Sequence, residues 1–211
     1  MERFHLDTAE IVTSPRYNIA PTQNVSVVLS ESPSQLSVAQ WGLIPSWAKD
    51  PSIGAKMINA RAETLPEKPS FRTAFKKRRC LVLADGFYEW RKEADGKTKT
   101  PLLIRLTDGE PFAFAGLYEF WKSPEGQNIR TCTIVTCEPN ELMKPIHNRM
   151  PVILPRELES DWLEAGTPAP ALMSMLMPYP PEGMQSYAVS RLVNSPTNDN
   201  PMVMQKMEIG D

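Results

Sequence analysis

The chain has 211 residues, of which 41% are hydrophobic and 23% charged, and a formal net charge of -2. That length suits one large domain or two small ones, and the composition supports a packed core and excludes a disordered chain. A charge this near zero excludes bulk positive charge as a source of nucleic-acid affinity and leaves only local clustering.

No apolar stretch approaches the roughly 20 residues that span a bilayer, and Met1-Glu2-Arg3-Phe4-His5 lacks the apolar core of a signal peptide. The expectation is a cytosolic protein. Cys80, Cys132 and Cys137 are odd in number and lack CxxC spacing, which argues against a disulfide framework or structural zinc. Each lies in or beside an apolar run and reads as a small core residue. There is no Gly-rich phosphate loop, HExxH, EF-hand or GxSxG pattern, and no cofactor or metal is expected.

In chain order, the 21 scattered prolines indicate many short elements joined by rigid turns. Val25 to Leu29 is rich in β-branched residues and reads as a strand. Leu36 to Trp41 reads as the next, with a turn at Ser32-Pro33-Ser34. Cys80 to Ala84 is a short buried strand ending at Asp85-Gly86. Leu102 to Leu106 and Phe112 to Leu117 flank Asp108-Gly109, a strong hairpin dipeptide. Thr131 to Thr136 is a further strand, followed by a candidate helix from Glu138 to Lys144. Val152 to Leu154 precedes a helix from Pro155 to Glu164, which starts with acidic residues and stops at Gly166. Pro168 to Gly183 reads as a surface excursion and Tyr187 to Val189 as a last strand. The fold class is α+β: a mostly antiparallel, curved, barrel-like sheet with few helices, in a single domain over residues 1–211.

Polar clusters beside apolar runs mark the candidate chemistry. Glu89 follows a buried strand between Tyr88 and Trp90. Desolvation there favours a protonated carboxyl suited to acid/base work, whereas strand alternation alone would simply point it outward. His147 sits on a turn near Arg149 and Pro151, either exchanging protons or making a structural hydrogen bond. Asn59, Arg61 and Glu63 share a face if extended. Arg61 either binds phosphate or pairs with Glu63. Trp41 and Trp47 bracket a Gly-Pro turn and serve as base-stacking surfaces or core anchors. Lys76-Lys77-Arg78-Arg79 is either a solvated strand entrance or a phosphate contact. His5 is given no role.

Six segments resemble, in order, the SRAP family (SOS response-associated peptidase domain): Arg16 to Thr22, Trp41 to Pro45, Asn59 to Thr64, Asp85 to Trp90, His147 to Pro151 and Val193 to Pro196. The resemblance implies a bacterial cytoplasmic protein, nucleoid-associated on damage, that binds single-stranded DNA carrying an abasic site and single-strand/duplex junctions. It implies that an N-terminal cysteine forms an imine and then a thiazolidine with the abasic aldehyde, and that the protein removes its own leading residue. It further implies Glu89 and His147 as proton-transfer residues and Asn59 as an orienting amide. Arg61 and Arg149 would be phosphate contacts, and Trp41, Trp47, Asn18 and Pro21 further DNA-facing positions.

The family opens Met-Cys-Gly-Arg-Phe, whereas Glu2-Arg3-Phe4 resembles a later stretch of its pattern. The expectation is a chain that lacks the family's first strand and its nucleophile. A thiazolidine needs amine and thiol on one residue, so Cys80, Cys132 and Cys137 cannot substitute, and only a transient imine at the Met1 amine is left. The alternatives are a DNA-binding module without chemistry, or a small peptidase or hydrolase using Glu89 and His147; the expected state is a monomer.

Overall fold

The computed structural model describes residues 2–4, 6–7 and 14–207; His5 and Met1 lie outside them. Five strands close into a ring. β1 (Asn24–Leu29) pairs antiparallel with β2 (Ser32–Trp41) and with β4 (Arg79–Ala84). β4 pairs antiparallel with β7 (Phe112–Lys122), and β7 with β8 (Asn128–Cys137). β8 closes the ring on β2 in parallel, Thr131 opposite Gln40 and Cys132 opposite Trp41. A closed ring leaves no free hydrogen-bonding edge along these strands. β3 (Asn59–Arg61) then takes the β8 edge where β2 leaves it, also in parallel. β9 (Met150–Pro151) and β10 (Ile153–Leu154) extend β8 and β7.

A second, antiparallel sheet packs beside the barrel in the order β11 (Met184–Ala188), β6 (Lys99–Leu106), β5 (Phe87–Lys92). Alternation along β6 serves two cores. Leu102, Ile104 and Leu106 join the main core with Phe87, while Leu103 joins a smaller cluster with Val189, Val193 and Val203. On β5 the same alternation sends Phe87 and Glu89 to the barrel side, and Tyr88 and Trp90 to the outer cluster. The Tyr88 hydroxyl donates to Tyr17 O at 2.9 Å and the Trp90 indole N–H to Asn194 Oδ1 at 2.8 Å, which fixes the outer face.

The segment from Gly42 to Ile58 closes on itself. Gly42 has φ +131°, and a Cβ there would lie 2.7 Å from Gly54 O. No L side chain tolerates both the dihedral and the contact. Gly42→Ala is expected to cost about 1–3 kcal/mol, seen as a lower denaturation midpoint.

Short helices cap the barrel: α1 (Arg72–Lys77), α2 (Glu159–Leu163) and α3 (Ala169–Ser174). The basic run divides between environments. Lys76 and Lys77 are exposed, Arg78 pairs with Glu119 at 2.6 Å, and Arg79 is buried.

Several local expectations change. The first turn lies at Ser30-Glu31 and β2 begins at Ser32, because Ser32 already pairs with Leu29. Asp108-Gly109 turns the chain, with Gly109 at φ +74°, but makes no hairpin. β6 is already flanked by β5 and β11, and β7 by β4 and β8, so the turn passes the chain from one sheet to the other. Residues 141–146 are turns, not helix. Pro139 and Pro145 confine that stretch, and the Asn140 side chain takes the Met143 N–H at 3.0 Å. Pro168 to Gly183 is not a mere surface excursion. It contains α3, whose Leu172, with Met175 and Leu176 beyond it, is buried at helical spacing. Among the described residues no helix is long and apolar enough to cross a membrane.

Candidate active site

Glu89 leaves β5 on the barrel side and is half-buried. Burial is the largest influence on its carboxyl and raises its pKa above the ordinary glutamate value. The opposing influences are the charge of nearby His147, then the Trp90 backbone N–H and Lys99. The outward reading of Glu89 therefore fails, because Phe87, two residues earlier on the same face, packs on Phe114 in the main core. A carboxyl so placed holds a proton longer than a solvated one and has an imidazole beside it.

His147 sits on the exposed turn between β8 and β9. Its Nδ1 lies 3.1 Å from both the backbone N and the carbonyl O of Arg149. Arg149 is 20% exposed, and both its terminal nitrogens are engaged while its buried Nε has no partner among the described residues. Its two terminal nitrogens meet both Glu63 carboxylate oxygens at 2.8 Å, and one also donates to Thr136 O at 2.6 Å. Those hydrogen bonds chiefly lower the Glu63 pKa. Glu63 therefore pairs with Arg149 and not with Arg61, so the alternative reading of Arg61 as Glu63's partner does not hold. Arg61 is exposed, with no side-chain hydrogen bond or ion pair to the described residues. Asn59 is exposed on the same face of β3.

Glu89 of β5, His147 and Arg149 of the β8–β9 turn, Glu63 and Arg61 are thus linked one to the next by hydrogen bonds or charge, and Asn59 lies on the same face of β3 as Arg61. Asn18 stands apart. It is buried, and its amide donates to the carbonyls of Val193, Ser195 and Asn198 at 3.0–3.2 Å, tying the loop before β1 to the C-terminal segment. Pro21 is exposed on that loop, beside Thr22, whose φ of 72° is rare for a β-branched residue. The Thr22 N–H donates to Trp41 O at 2.7 Å. Trp41 is a core anchor, half-buried and donating its indole N–H to Ile58 O at 2.8 Å. Trp47 is 61% exposed.

The cysteines are free and buried. Burial pushes the Cys132 and Cys137 thiols up to about 12 and Cys80 well above its ordinary value, so none is a thiolate nucleophile. Among the described residues no group of three His, Cys, Asp or Glu side chains could hold a metal ion. A cavity of about 790 Å³ lies away from Glu89, between α2 and the outer face of β1 and β4. Its floor of Val28 and Leu81 is apolar, and on its rim Glu159 is paired with Arg3 at 2.6 Å.

Residue spacing did not single out Lys99 or the partner of Glu63. Both relations join strands far apart in sequence and leave no local pattern.

The family description SOS response associated peptidase (SRAP) matches residues 1–196. The chain is 51% identical over 209 residues to the abasic site processing protein YoqW of Bacillus subtilis, covering 97% of this chain and 93% of that one. It is 33% identical over 220 residues to the abasic site processing protein HMCES of Xenopus tropicalis, covering 90% and 65%. An X-ray structure of a Bacteroides thetaiotaomicron protein superposes with a TM-score of 0.77 at 34% identity, covering 92% of this chain and 82% of that one. A phage-related protein of Bordetella bronchiseptica superposes at 0.70 and 29% identity, covering 90% and 88%. With sequence and fold in agreement along nearly its whole length, this chain belongs to the SRAP family.

Proposed function

We propose that this protein processes abasic sites in DNA, taking the damaged single strand across the surface that carries Glu89, His147, Asn59 and Arg61. The supporting observation is the half-buried Glu89 carboxyl beside His147, with the exposed Arg61 guanidinium, unpaired among the described residues, and the Asn59 amide on β3. The names of its relatives point the same way.

An abasic deoxyribose is a cyclic hemiacetal that opens to an aldehyde. Opening breaks the bond from C1′ to the ring oxygen. A proton leaves the anomeric hydroxyl and another reaches the ring oxygen, so one acid and one base suffice. Glu89, whose burial favours its protonated form, is the donor, and His147 takes the other proton. If an amine then attacks the aldehyde, the C–N bond forms, the nitrogen gives up its two protons and the carbonyl oxygen leaves with them as water; Glu89, reprotonated by the imidazolium that ring opening leaves on His147, protonates the departing hydroxyl and regains a proton from the nitrogen. The thiol of a thiazolidine step cannot come from Cys80, Cys132 or Cys137, since none carries a chain-terminal amine. Arg61 holds a flanking phosphate by charge and contributes affinity without reading sequence. Arg149 would have to leave Glu63 to do the same, so its first role is internal.

Incubating the chain with abasic single-stranded DNA and a matched duplex tests this directly. Preferential retention of the abasic strand in a native gel is expected, and equal or absent binding of both forms overturns the proposal. A band that survives denaturation only after borohydride reports an imine. Binding without it favours a module that lacks chemistry, and peptide turnover independent of DNA favours the hydrolase reading. Trp47→Ala is expected to weaken single-strand binding by about 1–3 kcal/mol with an unchanged denaturation midpoint, as for an exposed stacking platform.

A further inference from the structure

Glu63 touches none of the groups that would meet a deoxyribose, yet it holds the residue on which His147 leans. We infer that Glu63 is a positioning residue for His147, acting through Arg149. The inference rests on the proposed function only in naming His147 as a proton carrier.

The guanidinium of Arg149 is held at three points from two elements. The fork of Glu63, on the 3₁₀ turn Ala62–Thr64, meets both terminal nitrogens at 2.8 Å, and Thr136 O at the end of β8 accepts at 2.6 Å. A planar fork-to-fork pair fixes orientation as well as distance. What it orients is the Arg149 backbone. The Arg149 N–H and carbonyl O both lie 3.1 Å from His147 Nδ1. A backbone N–H can only donate, so in the neutral tautomer with the ring proton on Nε2, Nδ1 accepts from it. When the ring takes a second proton, Nδ1 becomes a donor, and the Arg149 carbonyl is at the same distance to receive it. One peptide unit thus serves both charge states, and the ring exchanges its proton without turning.

The His147 ring makes no other hydrogen bond among the described residues, so its orientation depends on that peptide. The charged groups around it are Glu89 of β5, with Lys99 of β6 beyond, Arg149 of its own turn, and Glu63 and Arg61 of the β3 segment. Without Glu63 the Arg149 side chain keeps only the Thr136 carbonyl, and the turn is free to swing.

Two-dimensional amide NMR against pH tests this on the free protein, without DNA, so its outcome is independent of whether the chain processes abasic sites. In the wild type the Arg149 amide resonance is expected to move as the ring titrates, because the N–H···Nδ1 bond breaks on protonation. With two histidines in the sequence, a His5→Gln control assigns the titration to His147. In Glu63→Ala the Arg149 amide is expected to lose most of this movement while the rest of the spectrum and the denaturation midpoint stay near wild type, since the Glu63 side chain is 53% exposed. Glu63→Gln keeps one acceptor for the guanidinium and is expected to restore part of the movement; it also serves if the alanine variant folds poorly. A purely structural staple would lower the midpoint and leave the Arg149 amide following His147 as before. That result, in either variant, overturns the inference.

Discussion

Arg79→Met is expected to destabilise the protein by roughly 1–3 kcal/mol for each buried acceptor it leaves unsatisfied, and to show as a large drop in the denaturation midpoint. The side chain is 1% exposed, yet the bonds that satisfy it go to no carboxylate. Its Nε donates to Trp162 O at 2.6 Å, one terminal nitrogen to Phe75 O and Lys76 O at 3.0 and 2.9 Å, and the other to Glu164 O at 2.5 Å. Those carbonyls end α1 and α2, where the last turn of any helix leaves acceptors without intrahelical donors. A single cation at the start of β4 therefore terminates two helices and docks both on the barrel. Methionine keeps the apolar stem but is shorter and donates nothing, so four acceptors would remain desolvated. Arg79→Lys, with one charged centre that cannot span all four, is expected to fall in between. A methionine variant as stable as the wild type would show that water or a shifted helix end replaces the arginine.

Glu89→Gln is expected to reduce processing of an abasic strand, read as the rate of borohydride-trapped product, by about 100- to 10,000-fold, the span for losing a positioned acid/base. The amide keeps the volume and loses the proton. Stability should respond in the opposite sense at neutral pH. Burial raises the folded-state pKa of Glu89 above its unfolded value. The stability linked to its proton is thus fully present below the ordinary carboxylate range and is lost as pH rises through the raised value. Wild-type unfolding free energy should fall across that window relative to Glu89→Gln, which has nothing to titrate. A flat difference between the two against pH, or one that grows in favour of the wild type, would mean that His147 and Lys99 outweigh desolvation. Retained activity in the variant would remove Glu89 from the chemistry.

Much of the barrel could be read from local pattern. The β-branched and apolar runs at Val25, Cys80, Phe112 and Thr131 mark its strands, because a strand buried on both faces, as β7 is, reads as continuous apolar sequence. The cysteines lie in the core as expected of small apolar residues. Sequence could not show which strands meet. Asp108-Gly109 has the chemistry of a hairpin turn, but neighbours remote in sequence already occupy both edges of β6 and of β7. The parallel pairings of β8 with β2 and β3 likewise leave no local trace. At the site, the residue types at Glu89 and His147 and the side on which Phe87 packs were enough to suspect a desolvated carboxyl. The partner of Glu63 was not legible. Arg61 is two residues away and Arg149 eighty-six, and only the β3–β8 pairing brings the distant one closer.

Closing the ring through Gln40 and Thr131 also shapes how the chain folds. The seam joins segments from opposite halves of the molecule, so its loop entropy is met before its hydrogen bonds form. Until it closes, β2 and β8 each present an unsatisfied edge able to recruit a second nascent chain. Slow refolding and concentration-dependent loss of yield during renaturation are the expected kinetic signature of a barrel sealed by its most remote pairing.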